Sequence, residues 1–402
     1  MSQTFCFIGD PGPRRIERLE ILRTAGLKPV RINPCQRELE GLESDLPCAL
    51  VVGAEVVGRA DLIAEIRQRP SLDGLPLIAR VREPDPEDVE QAFADGFDDV
   101  LIDGAEAQFE ALIASFGRSD TWSAVRAPSG LVLLANENRQ ERIRLGSVLR
   151  RGGFDIRFAA DLEEMEQWLV DEQAPRAVVA SAKLPGGSLQ RAVERIVTAH
   201  RIPSPWVIVN ADRNGKHSPA RAAEPEIVYD TGHDPERLTF LMNELLAPAP
   251  PEGRRTPRLL YESMVEFTHE GSDQPFYGYT YNVNSGGLFV RTLTPPPRQS
   301  RVTVEFRPPC GAGVVSGTAQ VVWISNYRSD GPSTSPAGMG VQLVGWAPAD
   351  RAGFEGGYRA LLEMHGATDG ATETGAGRAA RPTTPPTASA EECWAATKTA
   401  TA

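Results

Sequence analysis

Over the first 246 residues, short apolar runs alternate with amphipathic stretches. Thr4 to Ile8 is one such run, and Pro13 to Ala25 after it carries Ile16, Leu19 and Leu22 at helical spacing before Gly26 stops the pattern. The alternation continues through Pro29 to Ile32, Ala49 to Val52 and Pro76 to Ala79, a helix from about Pro86, the run Val100 to Ile102, and a helix near Ala105 to Phe116. Five strands interleaved with helices predict a parallel sheet covered on both faces. A second copy starts at Leu131 to Leu134 and proceeds through a helix at Arg139 to Arg151, closed by Gly152 and Gly153. Its later strands are Ala177 to Ala180, Trp206 to Val209 and Ile227 to Tyr229, with a last helix near Pro235 to Leu246. The expectation is two doubly wound α/β domains in tandem, 1–118 and 129–246.

The proline-rich stretch Ala247 to Gly253 ends that pattern. Extended segments follow: Leu259 to Phe267, Phe276 to Val283, Gly287 to Thr292, Arg301 to Phe306, Val314 to Ile324 and Met339 to Gly345, punctuated by Gly-Ser-Asp, Asn-Ser-Gly-Gly and Pro-Pro-Pro turns. Six short strands and a helix near Pro348 to Met364 predict an all-β barrel with a helical lid over 253–365. The remainder, 366–402, is rich in Thr, Ala, Gly and Pro, and is expected to be disordered.

Charge narrows the choice of partners. The 402 residues carry a formal net charge of -12, which argues against coating nucleic acid or an anionic membrane through bulk electrostatics. Any anionic ligand needs a local basic cluster, and with Lys28, Lys183, Lys216 and Lys398 the only lysines, that cluster is built from arginine. The start of the chain lacks a basic segment and a long apolar run, so a cytoplasmic protein is expected. Five cysteines without a Cys-x-x-Cys pair fit neither a disulfide framework nor a zinc site, and are expected to be reduced and mostly buried. The five histidines are scattered outside any metal or triad motif, so no metal and no enzymatic activity are expected.

Both α/β copies resemble response-regulator receiver domains at the turns that follow their strands. Asn136 to Arg142 stands where receivers carry an acidic pair, Ser181-Ala182-Lys183-Leu184-Pro185 where they carry the phosphoacceptor and a proline, and Gly96 to Asp103 resembles the approach to the receiver lysine. The chemistry of phosphoryl transfer requires an aspartate nucleophile, carboxylates for magnesium and that lysine. The resemblance puts Ser181, and about Gly53 or Ala54, at the nucleophile positions, and Asp103 and about Thr231 at the lysine positions. Asp10 and Glu137 remain as isolated acids, of the kind that cap helices. The implied domains are pseudo-receivers that offer docking or dimerisation surfaces.

The C-terminal third resembles a PilZ domain. That family's pattern is Arg-x-x-x-Arg followed by Asp or Asn-x-Ser-x-x-Gly, and Arg254, Arg258, Asn282 and Gly287 match it, while Asn284 stands at the serine position. Gln320 to Trp323 and Gly338 to Leu343 are also similar to PilZ strands. The resemblance implies cyclic di-GMP as ligand and a site drawn from Arg254, Arg255, Arg258, Asn282, Asn284, Ser285, Gly286 and Gly287. A planar guanidinium suits that ligand, because it meets a guanine edge or a phosphate with two parallel hydrogen bonds and stacks on purines. The expected protein is a signalling effector whose arginine segment folds over the barrel on binding and reorients the tandem pseudo-receivers. A signalling protein would be the partner of those domains, with a homodimer as a further arrangement. The alternatives are an adaptor that has lost the nucleotide and a phosphorylation-dependent regulator.

Overall fold

The computed structural model describes residues 4–12, 15–54, 60–69, 71–72, 75–117, 131–171, 174–181, 183–201, 205–210, 227–230, 235–246, 258–272, 274–311, 313–327 and 336–364. The linker 247–253, Arg254, Arg255, Thr231 and the tail 366–402 fall outside these residues.

The first domain alternates β1 (Thr4–Ile8), α1 (Arg15–Thr24), β2 (Lys28–Ile32), α2 (Gln36–Leu42), β3 (Ala49–Val52), α3 (Ala60–Gln68), β4 (Leu77–Val81), α4 (Pro86–Ala94), β5 (Asp99–Ile102) and α5 (Glu106–Gly117). Its strands pair in parallel in the order β2-β1-β3-β4-β5, the doubly wound order of flavodoxin-like folds. The apolar runs β1, β3 and β4 are buried along their whole length. Helix α1 corrects one expectation, for Ile16 is 75% exposed and Arg18 is fully buried. The helix turns its arginine inward because carboxylate, carbonyl and aromatic partners await it there.

The second domain repeats the design with β6 (Leu131–Ala135), α6 (Arg139–Arg151), β7 (Asp155–Ala159), α7 (Leu162–Leu169), β8 (Ala177–Ser181), α8 (Leu189–His200), β9 (Trp206–Asn210), β10 (Ile227–Asp230) and α9 (Pro235–Leu246). The order β10-β9-β8-β6-β7 is the same topology. Strand β7 is absent from the sequence-based expectation. Its Asp-Ile-Arg-Phe-Ala alternates with charge, as an edge strand with one solvated face does.

The barrel comprises β11 (Leu259–Leu260), β12 (Met264–His269), β13 (Phe276–Asn284), β14 (Gly287–Arg291), β15 (Arg301–Phe306), β16 (Val315–Ser325) and β17 (Gly338–Trp346), followed by α10 (Pro348–Met364). Six strands run β13-β12-β15-β16-β17-β14, and the β13–β14 pairing closes the ring, with short β11 added beside β13. The segment expected as one first strand is therefore two. Between them the fully buried Thr280 hydroxyl donates to Tyr261 O at 2.6 Å and accepts from the Ser263 amide at 2.7 Å, satisfying the break. Phe354, Tyr358, Leu361 and Leu362 of α10 complete the barrel core.

The first α/β domain and the barrel form one compact unit, and the second α/β domain forms another. Strand β5 shows why. It is the edge of its sheet, yet all four residues are buried, whereas β2 at the opposite edge is largely open. Barrel residues cover it: Tyr277 and Tyr279 belong to the same core cluster as Phe93, Phe97 and Ile102, and Leu293 to that of Phe109 and Leu112.

Of the described cysteines, all free, only Cys6 is fully buried; Cys35 and Cys310 are exposed, which corrects the expectation of mostly buried thiols. Cys35 is the extended residue just before α2, and Cys310 stands in a turn at φ 52°.

Candidate functional site

At the receiver-like positions the described atoms hold one another. In the first domain the Arg18 guanidinium donates to Pro11 O at 3.1 Å and to Asp103 Oδ1 at 3.3 Å, with Glu106 Oε1 at 3.6 Å from its other nitrogen. Arg80, also buried, brings its Nε within 3.3 Å of Asp103 Oδ1 and donates to Asp10 O. Gly12 stands beside them at φ +102°, a backbone conformation that L side chains rarely adopt. Two arginines and their carboxylates thus occupy the carboxyl end of the sheet, the place where open α/β sheets bind ligands. Gly53 and Ala54, which the receiver resemblance sets near the nucleophile position, offer no carboxylate. In the second domain Ser181 Oγ accepts from the Lys183 amide at 3.1 Å, Glu137 is exposed, and Asn138 rather than Glu137 caps α6. Among the described residues no group of three His, Cys, Asp or Glu is placed to hold a metal ion.

In the barrel, the turn between β13 and β14 carries the Asn-x-Asn-x-x-Gly sequence. Asn284 Oδ1 accepts from the Gly286 amide at 2.9 Å, and Gly286 O accepts from the Leu343 amide at 2.9 Å, so the turn is tied to itself and to β17. A serine at position 284 can accept that same bond through its hydroxyl. Gly287 is fixed by close approach, since a Cβ there would sit 2.0 Å from Val341 O. Gly286 and Ser285 form the exposed turn itself, and a Cβ on Gly286 would meet only Asn284 Oδ1, at 3.7 Å.

Register then assembles a surface. Asn282 pairs with Phe289, Phe289 with Gly340, and Gly340 with Trp323, one row across four strands. The neighbouring row, Val283, Leu288, Val341 and Val321, is core, so alternation puts the Asn282 row on the outer face. Its side-chain amide makes no hydrogen bond to the described residues. Phe289 packs against Tyr281 at 6.1 Å and Trp323 at 5.2 Å between centroids, leaving the indole 46% exposed. Gly340 lies beneath the two rings, where a Cβ would meet Trp323 at 3.5 Å and Phe289 at 4.0 Å. The adjoining outer row is polar, with Asn284 opposite Gly287, Gly287 opposite Gln342 and Gln342 opposite Gln320. Leu259 pairs with Val283 in antiparallel register, so the exposed Arg258 comes level with Asn284. The structure therefore brings Arg258, Asn282, Asn284, Ser285, Gly286 and Gly287 to one corner of the barrel. The expectation from sequence missed Phe289, Gly340 and Trp323, which become neighbours of Asn282 only through the pairing of four strands.

Residues 252–353 match the family model of the PilZ domain. No curated protein matches the chain. Among solved structures, one described as a two-component system response regulator/GGDEF domain protein is 17% identical, covering 61% of this chain and 98% of that chain at TM-score 0.31. The PilZ domain of YcgR from Escherichia coli, solved with c-di-GMP, is 18% identical over 27% of this chain and 92% of its own at TM-score 0.23. The Bacillus subtilis inhibitor of motility MotI/DgrA is 19% identical over 29% of this chain and 56% of its own at TM-score 0.22.

Proposed function

We propose that the chain is a cyclic di-GMP-binding signalling effector that works by binding and not by turnover. The observation that carries this reading is the outer barrel corner. A turn tied by Asn284, the unengaged Asn282 amide, an arginine level with the turn and a half-exposed indole share one face. They match the needs of a dianionic ligand with two purine planes: guanidinium groups for phosphate or guanine edges, an amide for a base edge, an aromatic plane for stacking. Arg254 and Arg255 join Arg258 in this reading.

The same arginine segment links the second α/β domain to the barrel along the chain. Its capture by ligand changes the conformational freedom of that domain, and a partner protein senses the change. The first α/β domain, packed on the barrel, stays with it. This narrows the reorientation expected from sequence to the second domain alone.

Calorimetric titration of the full chain with cyclic di-GMP tests the reading. The expected affinity is micromolar, roughly -8 kcal/mol. Arg258→Ala should cost about 1.5–3 kcal/mol, the scale of a charge-assisted hydrogen bond, and Trp323→Ala about 1–3 kcal/mol, the scale of base stacking on an aromatic ring. Absence of binding by the parent chain would sink the proposal and leave an adaptor in its place.

A further inference from the structure

The hairpin β13–β14 has the Asn282–Gly287 sequence at its tip and the first α/β domain at its root. Tyr279 and Arg291 pair across the root. The Tyr279 ring stacks on Phe93 at 4.5 Å and 8°, and the Arg291 guanidinium lies 5.1 Å from the centre of the same ring while donating to Phe97 O at 3.3 Å. Just beyond the strand, Asp99 Oδ2 of β5 accepts from the Leu293 amide at 2.6 Å and from Thr292 Oγ1 at 3.3 Å, and the Gln108 amide nitrogen of α5 donates to Tyr277 O at 3.3 Å. The polar atoms in these contacts are buried, so they give up their partners only if the two bodies separate. From Arg291 to Gly287 is four residues, about 14 Å of strand. Between root and tip the ladder slips at Thr280–Asn282, a bulge that twists the hairpin and sets the direction of its far end.

We propose that the first α/β domain positions the nucleotide turn: its clamp on the hairpin root fixes the tip in the conformation the ligand takes, so that docking and nucleotide binding are coupled. The inference rests on the cyclic di-GMP reading and adds Phe93, Asp99 and Thr292 as positioning residues, none of which touches ligand. A tip held from its root has less motion to lose on binding, and coupling is reciprocal, so bound nucleotide must tighten the clamp by the same factor that the clamp tightens binding.

The test uses the full chain and cyclic di-GMP. Thr292→Val removes one donor to Asp99 with little change of shape, and Phe93→Ala removes the stacked ring. Each should weaken nucleotide binding about fivefold or more, with Thr292→Ser restoring most of the parent affinity. In the unmutated protein, nucleotide should slow amide hydrogen exchange at Leu293 and Val100, a readout that needs no variant to fold. If the parent binds nucleotide, but Thr292→Val and Thr292→Ser bind alike at parent affinity, or exchange at Leu293 ignores the ligand, the coupling is overturned. If the parent binds no nucleotide, the ligand reading fails and this inference falls with it.

Discussion

Asp99 is a carboxylate with no solvent around it. Burial is the main force on it and pushes its pKa up from 3.8 to about 7, with the hydrogen bonds from Leu293, Val100 and Thr292 pulling the other way and the neighbouring Asp98 charge adding to the rise. The folded protein therefore keeps a proton on Asp99 that the unfolded chain gives up near pH 4. Stability contributed by that proton is complete below pH 4 and is lost as pH climbs through about 7. The melting temperature should fall between about pH 4 and about pH 7, and Asp99→Asn, which cannot ionise, should flatten that fall. Thermal melts of both proteins across this range check the expectation; parallel profiles would show that the proton resides elsewhere. At position 284 chemistry is more forgiving. The asparagine makes the turn bond that a serine hydroxyl can also make, so the departure from the family pattern leaves the turn intact.

At the scale of elements, the two α/β domains share one flavodoxin-like strand order. Acetyl phosphate with magnesium should leave the full chain without a stable added phosphate by intact mass, because Gly53, Ala54 and Ser181 supply no aspartate and Arg18 and Arg80 both engage Asp103 at the first strand ends. One added phosphate on either domain would defeat this. Much of the element pattern was legible in the sequence. Helices at Arg139–Arg151, Pro235–Leu246 and Pro348–Met364 and the strand Arg301–Phe306 stand at their expected bounds, since strong apolar periodicity and clear stops agree there. Strand β7 was not legible, because its charged alternation resembles a loop. The break at Tyr261–Ser263 depends on Thr280, a tertiary partner, and the inward Arg18 on Asp103, 85 residues away. The turn of the candidate site could be read from Asn282 to Gly287, whereas its aromatic extension arises from register, which no local pattern carries.

At the scale of the molecule, the second α/β domain interrupts, in sequence, a body made of the first domain and the barrel. That arrangement sets a timetable for synthesis. Strand β5 and helix α4 leave the ribosome long before β13 exists to cover them, and at about 5–20 residues per second the intervening stretch takes on the order of ten seconds. During that interval Phe93, Phe97 and the Asp99 edge meet water or a chaperone. Nascent chains arrested after residue 246 should be cut by protease near residues 93–102, and released full-length chains should be protected there. Equal protection in both would mean that the first domain shields its own edge until the barrel arrives.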